Sequence, residues 1–263
     1  MLKREFKVNL RSFLIWTGVL VSLFLMVYLM YPSLIASDQM DQLNEMMKMF
    51  PPELLKAFNM DISGIDTAFG WVKTEGFVFV LLITGVYGSI LGTNILLKEE
   101  NDKTIEYLIS LPVTRKQIVL QRVAVALGYI FLMVGILLVF NGIALHGDKD
   151  FDAKQFILLS ITPVFSTMVI FAISLFVSTF THKTKKVFGI GLGIVFASYF
   201  LNMISEMSDK TEFLKYISVF TLADIRNVIS KTEINPIILI VTFVLTASFI
   251  ALSAVRYEKK ELV

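Results

Sequence analysis

Six stretches of the chain are each long enough to cross a bilayer and contain no Asp, Glu, Lys or Arg. They are Phe13–Tyr31, Gly76–Leu97, Val123–Leu145, Phe156–Phe180, Val187–Ser205 and Pro236–Val255. A hydrocarbon layer about 30 Å thick takes about 20 residues of helix to cross, and every backbone polar group inside it must be paired within its own segment. Uninterrupted apolar runs of this length therefore predict an all-α integral membrane protein with six spans. Composition agrees, with 56% hydrophobic residues in 263 against about 45–50% in an ordinary soluble chain. The run Phe13–Tyr31 is too long for a signal-peptide core of about 7–15 residues, so it reads as a retained first span. Pro163 is expected to kink the fourth span, and Pro236 suits the first turn of the sixth.

The charges fall unequally between the connecting segments. Residues 1–12, 98–122, 181–186 and 256–263 hold 15 Lys+Arg and 7 Asp+Glu, whereas 32–75, 146–155 and 206–235 hold 9 and 15. The positive-inside rule then places both termini in the cytoplasm of a multi-pass plasma-membrane protein. Ahead of the first span, Leu2, Phe6 and Leu10 alternate with Lys3, Arg4, Lys7 and Arg11. That pattern predicts a basic amphipathic helix on an anionic membrane surface, with an ordinary charged flank as the alternative. In the outer segments, Met40, Leu43, Met46, Met47 and Phe50 form an apolar stripe, followed by a short helix over Glu53–Phe58. Before the sixth span, Phe213, Tyr216, Ile217 and Phe220 precede Thr221 and Asp224, which resemble a helix cap ahead of Ile225, Val228 and Ile229. These predict short extracellular helices before the second and sixth spans, interfacial or partly re-entrant at the outer leaflet, with a small cap packed on itself as the alternative. Gly88–Gly92 and Gly189–Gly193 are small-xxx-small patterns, and Gly128, Gly135 and Gly142 recur every seven residues, all suited to close helix packing.

The spans hold neutral polar residues only. Asn94, Asn141, Ser166 and Asn202 are candidates for lining a path, with bonding back to helix carbonyls as the alternative. Ion-driven carriers usually place an ionisable group at mid-membrane, which argues against a stand-alone secondary carrier. No Walker A loop occurs, nor His-Glu-x-x-His, nor Gly-x-Ser-x-Gly, and the chain has no Cys and only two His. Nucleotide binding through a P-loop, hydrolase chemistry and a thiolate or His metal site are therefore not expected in this chain. Nothing in it suggests nucleic-acid binding. Energy for any transport must come from a partner.

The loop Lys98–Arg122 is where such a partner would act. Asp102 is suited to cap a short helix, Thr104–Ser110, with Ile105, Leu108 and Ile109 on one side. Pro112 stops it. Thr114 with Gln117 is a capping-box signature that opens the helix leading into the third span. The order Glu99-Glu100, Lys103-Thr104, Ile105-Glu106-Tyr107-Leu108-Ile109, Leu111-Pro112-Val113, Thr114-Arg115 and Arg122 resembles the first cytoplasmic loop of permease subunits of type-2 ATP-binding-cassette (ABC) exporters. The six spans, the basic start and the outer segment before the last span are similar to that family too. Lys103 stands where the family's glycine is usual, and Arg122 where its closing lysine is.

This resemblance implies a single transmembrane permease domain of the small bacterial kind that exports peptides or antibiotics. Thr104, Ile105, Glu106, Leu108, Ile109, Leu111, Pro112 and Arg115 would be its coupling helix and flank, docking on a separate cytosolic ABC ATPase. Glu99 and Glu100 would pair with Arg115 or Arg122 to stiffen the loop. ATP and Mg would be bound by the partner and no cofactor by this chain, and a second permease copy would complete a path for an amphipathic cargo. The alternatives are a regulatory or scaffold subunit that docks an ATPase without transport, and the secondary carrier already disfavoured.

Overall fold

The computed structural model describes residues 2–35, 45, 49–51, 67–102 and 114–260. The predicted segment Thr104–Ser110 with Leu111 and Pro112, the stripe Met40–Met47 and the helix Glu53–Phe58 lie outside the described residues.

All six spans are helices. In chain order they are α1 (Leu2–Ile35), α3 (Phe77–Asn101), α4 (Arg115–Leu145), the pair α5 (Ala153–Ile161) and α6 (Pro163–Ser178), α7 (Thr184–Met207) and α9 (Pro236–Lys259). Short elements fill the connections. α2 (Ala68–Trp71) runs through a π-helical turn, Val72–Gly76, into α3. Two 3-10 turns (Glu212–Tyr216 and Val219–Ala223) and α8 (Ile225–Lys231) precede α9. Both chain ends lie at one end of the bundle, called here the terminal end, since Glu5 and Lys260 contact side chains at the base of α3 and α4.

α3 and α6 form the centre, and polar contact rather than bulk holds them close. Thr167 donates to Thr84 (3.0 Å) and Ser174 to Ser89 (3.3 Å). A Cβ at Gly92 would stand 2.4 Å from the Phe171 carbonyl oxygen, and one at Gly88 3.0 Å from that of Thr167. The Gly88–Gly92 spacing thus marks a true close crossing. The Gly189–Gly193 spacing does not, because neither has a neighbour within 4 Å. Gly191 between them is the residue pressed against Ser89. Gly128 and Gly135 likewise face open space, and Gly142 alone of its series meets a neighbour, Phe156.

Pro163 breaks the fourth span where expected. Its missing N–H leaves the Leu159 carbonyl without the usual helix donor, and the Thr162 hydroxyl takes that oxygen at 3.0 Å. At the bundle end opposite the terminal end, Asp148 accepts from the Phe69 backbone N–H (2.7 Å), and the Gln155 side chain donates to the carbonyls of Val228 and Ile229 at the end of α8. Asp224 does not cap α8 through its side chain. It sits in the left-handed region (φ 50°), which Asp tolerates better than most residues, and its carboxylate accepts from the Asn235 backbone N–H at 3.0 Å.

One expectation about the start changes. Residues 2–12 are not a separate element but the first three turns of α1, one helix of 34 residues. Glu5, Phe13, Thr17, Leu20, Phe24 and Tyr31 are its buried stripe, and Leu2, Phe6 and Leu10 are on the exposed side. No Gly or Pro interrupts the first four turns, and Glu5 anchors the helix base to the bundle.

Candidate functional site

Sequence spacing alone explains why the terminal end gathers charge. α3 continues past its apolar run through Lys98, Glu99 and Glu100 to Asn101, where Asp102 is the C-cap. α4 starts early, at Arg115, behind the predicted box: Thr114 Oγ1 accepts from the Gln117 N–H (3.2 Å), and the Gln117 side chain accepts from the Thr114 N–H (3.1 Å). The two helices therefore bring acidic and basic residues down to the same level, on either side of residues 103–113.

Arg122 is fully buried. Its guanidinium lies 2.5 Å from Glu99 and 3.4 Å from Glu5, and donates to the Ile95 carbonyl at 2.7 Å. Helices α1, α3 and α4 are thereby joined at one point. A buried arginine pairs well here because its planar fork reaches several acceptors at once. Next to it, the Glu100 carboxylate receives Lys260 Nζ at 2.8 and 3.0 Å and lies 2.6 Å from His182 Nδ1. Lys260 also donates to the carbonyls of Thr181 (2.9 Å) and Ser178 (3.4 Å). Arg115 donates to the carbonyls of Lys260 (2.8 Å) and Glu258 (3.0 Å), with a longer contact to Tyr257. Tyr257, fully buried, is within electrostatic reach of Arg122, Glu100, Glu99 and Arg115. Asn101 donates to Thr184 at the start of α7. All six spans meet in this network.

Of the pairings expected from sequence, Glu99–Arg122 is present. Glu100 instead binds Lys260 and His182, and Arg115 engages main-chain carbonyls of the last turn of α9 rather than a carboxylate. The reason is reach: the end of α9 lies against both loop stems. Glu5, Lys260, His182 and Tyr257 were not picked out by sequence reasoning. The signal for Glu5 was there, as the single acid among Lys3, Arg4, Lys7 and Arg11, eight residues before Phe13 on the same face. Lys3, Arg4, Phe6, Lys7 and Arg11 themselves are exposed along α1, and the Phe6 ring stacks on Tyr129 at 4.5 Å.

The four candidate path residues separate. Asn141 is buried and accepts from the Tyr28 hydroxyl (3.0 Å), and Ser166 is buried and donates to the Pro163 carbonyl (3.2 Å). Both are committed to packing rather than to a surface within this chain. Asn94 is exposed, on a stripe of α3 that also carries exposed Phe79 and half-buried Val86 and Ile90. Asn202 lines a cavity of about 660 Å³ at the opposite end, with Tyr199, Glu206, Phe220, Arg226 and Val241. Glu206 pairs with Arg226 there. Nearby, an exposed hydrogen bond from Lys215 holds the Glu212 carboxyl below its usual range and raises the Lys215 ammonium above its own. Among the described residues no cluster of three or more His, Cys, Asp or Glu is set to hold a metal.

The family model described as "ABC-2 family transporter protein" matches residues 1–262. The chain is a member of the ABC-2 transporter family. No curated protein and no solved structure matches it. With six helices long and apolar enough to cross a membrane, it is a multi-pass ABC-2 permease subunit. Membrane proteins of this family work with ABC ATPases, and the permeases themselves are in general not catalytic.

Proposed function

We propose that this chain is the membrane-spanning subunit of an ATP-driven exporter of amphipathic cargo, coupled to a separate cytosolic ATPase through the loop 98–122. The observation that carries the reading is the buried network at the base of α3 and α4. It joins the two stems to each other and, between them, to α1, α7 and α9, with Lys260 extending the contact to the end of α6, so a displacement at the loop is passed to the bundle instead of being lost in a flexible connection. Both termini then face the cytoplasm, Lys3, Arg4, Lys7 and Arg11 meet anionic lipid headgroups, and ATP with Mg is bound by the ATPase alone. The docking surface is Thr104, Ile105, Glu106, Leu108, Ile109 and Leu111, with Pro112 as the joint to α4 and Arg115 at its edge. Coupling requires the ATP-bound and free states of the ATPase to hold that surface with different free energies.

A single copy leaves Asn94 as the one exposed polar residue between Phe77 and Leu97. Two copies facing each other across this stripe enclose a path with apolar walls and a few polar contacts, which suits a peptide, antibiotic or lipid-like cargo. Two-fold assembly is the common solution for such a path. Ile105→Asp tests the docking surface. It is expected to leave membrane insertion unchanged and to reduce both ATPase co-purification and transport at least tenfold. Unchanged co-purification and unchanged stimulation of ATP hydrolysis would sink the assignment.

A further inference from the structure

The last turn of α9 touches both ends of the loop. On the α3 side, Lys260 Nζ is bonded to both oxygens of Glu100 at 2.8 and 3.0 Å, and the two side chains are 5% and 2% exposed. On the α4 side, the carbonyls of Glu258 and Lys260 accept from Arg115, one residue after the N-cap Thr114 that starts that helix. Lys116 adds an exposed pair to Glu258 at 3.3 Å. The same ammonium of Lys260 is held by carbonyls of Ser178 and Thr181 at the end of α6.

These contacts are not needed to keep α9 helical. A helix C-terminus is satisfied by water or by any nearby cation, and exposed Arg256 and Lys259 already complement its dipole. Burying an ammonium against one carboxylate is an expensive arrangement, of little use for stability alone. Its effect is geometric. With Lys260 in place, the distance between the last turn of α3 and the first turn of α4 is set by a third helix as well as by the loop itself.

We propose that Tyr257–Lys260 is a positioning element for the coupling loop, a clamp in which Lys260 holds the α3 stem through Glu100 and the backbone of the tail holds the α4 stem through Arg115. The proposal rests on the reading of 98–122 as the docking loop. It adds that α9 and the end of α6 move with that loop, so that force applied at the loop reaches the sixth span directly and not only the second and third.

The test uses the full-length permease in lipid nanodiscs, alone and with its ATPase. Lys260→Met keeps the unbranched stem as far as Cε and removes the ammonium, and Lys260→Arg keeps the charge. Amide hydrogen exchange is read at 97–102 and 114–119 in the permease alone. ATPase stimulation and transport per ATP are read in the complex. For Lys260→Met, exchange at 97–102 is expected to quicken at least tenfold and exchange at 114–119 by a smaller factor. Exchange in the middle of α3 and α6 is expected to stay as in the wild type, and transport per ATP to fall at least threefold. Lys260→Arg is expected to recover most of both. Arg115→Met reads the other arm, with the larger effect at 114–119. Unaltered exchange at both stems would overturn the clamp. So would an equal quickening across all the helices, which marks general loosening. The exchange measurement needs no partner. A wild-type permease that fails to bind the ATPase therefore defeats the docking reading, while the clamp is still decided by the stems.

Discussion

Arg122 is the side chain whose loss leaves the most undone. Removing it takes their ion-pair partner from Glu99 and Glu5, both 5% exposed, and breaking a buried pair of this sort costs about 3–5 kcal/mol. Arg122→Met is therefore expected to lower the stability of the detergent-solubilised permease by that order. The measure is the midpoint of thermal unfolding followed by intrinsic fluorescence. Arg122→Lys should recover only part of the loss, since an ammonium does not span Glu99, Glu5 and the Ile95 carbonyl together. Lys215→Met, at the exposed pair with Glu212, should not move the midpoint measurably. Glu99–Arg122 is one of the pairings left open between Glu99 or Glu100 and Arg115 or Arg122, legible only as far as these residues flank one loop. The Glu100–Lys260 pair was not legible, because 160 residues separate its partners and no local pattern fixes where a chain's tail returns. Glu5 was hidden differently, within a run whose basic character suggested a surface and whose one acid in fact faces inward.

At the level of whole helices, the apolar runs located every span, while three of the helices continue beyond their runs where charges are satisfied inside the protein. α3 continues past Leu97 to Asn101, α4 starts at Arg115 behind the capping box read from Thr114 and Gln117, eight residues before its apolar run, and α9 continues past Val255 to Lys259. Each extension is at the terminal end, where ion pairs and the capping box let charged residues remain helical. Packing faces were less legible, because a spacing of four names a pair of residues but not the side of the helix that meets a neighbour. Gly92→Ala places a methyl group against the Phe171 carbonyl and Ser174 Cβ, at 2.4 and 2.8 Å. Backbone cannot yield as a side-chain tip does, so the α3–α6 crossing must widen, at a cost of about 1–3 kcal/mol. Gly189→Ala meets nothing within 4 Å, and is expected to leave stability unchanged or raise it by up to about 1 kcal/mol through helix propensity. Thermal unfolding of the two variants side by side checks the pair. If they are equally destabilised, the assignment of α6 as the close neighbour of Gly92 is wrong.

For the molecule as a whole, the direction of insertion decides which end the ATPase can reach. The distribution of charge favours the terminal end as the cytoplasmic one, and the proposed docking requires it. The segments at that end carry the larger share of Lys+Arg, 15 of 24, which is the basis of orientation by charge. The same end holds the buried ionic network and both loop stems, whereas the opposite end carries the 3-10 turns, α8 and the cavity lined by Asn202. An ATPase binding at the latter would meet neither stem. Because the chain contains no Cys, single cysteines report topology without a background. Lys3→Cys lies on the exposed face of α1 at the terminal end, and Lys149→Cys on the exposed connection between α4 and α5 at the other. In intact cells a membrane-impermeant maleimide is expected to label the cysteine at 149 and to label that at 3 only after permeabilisation. The reverse order would put the stems outside the cell, beyond reach of ATP, and the energy source inferred from the loop would have to be abandoned.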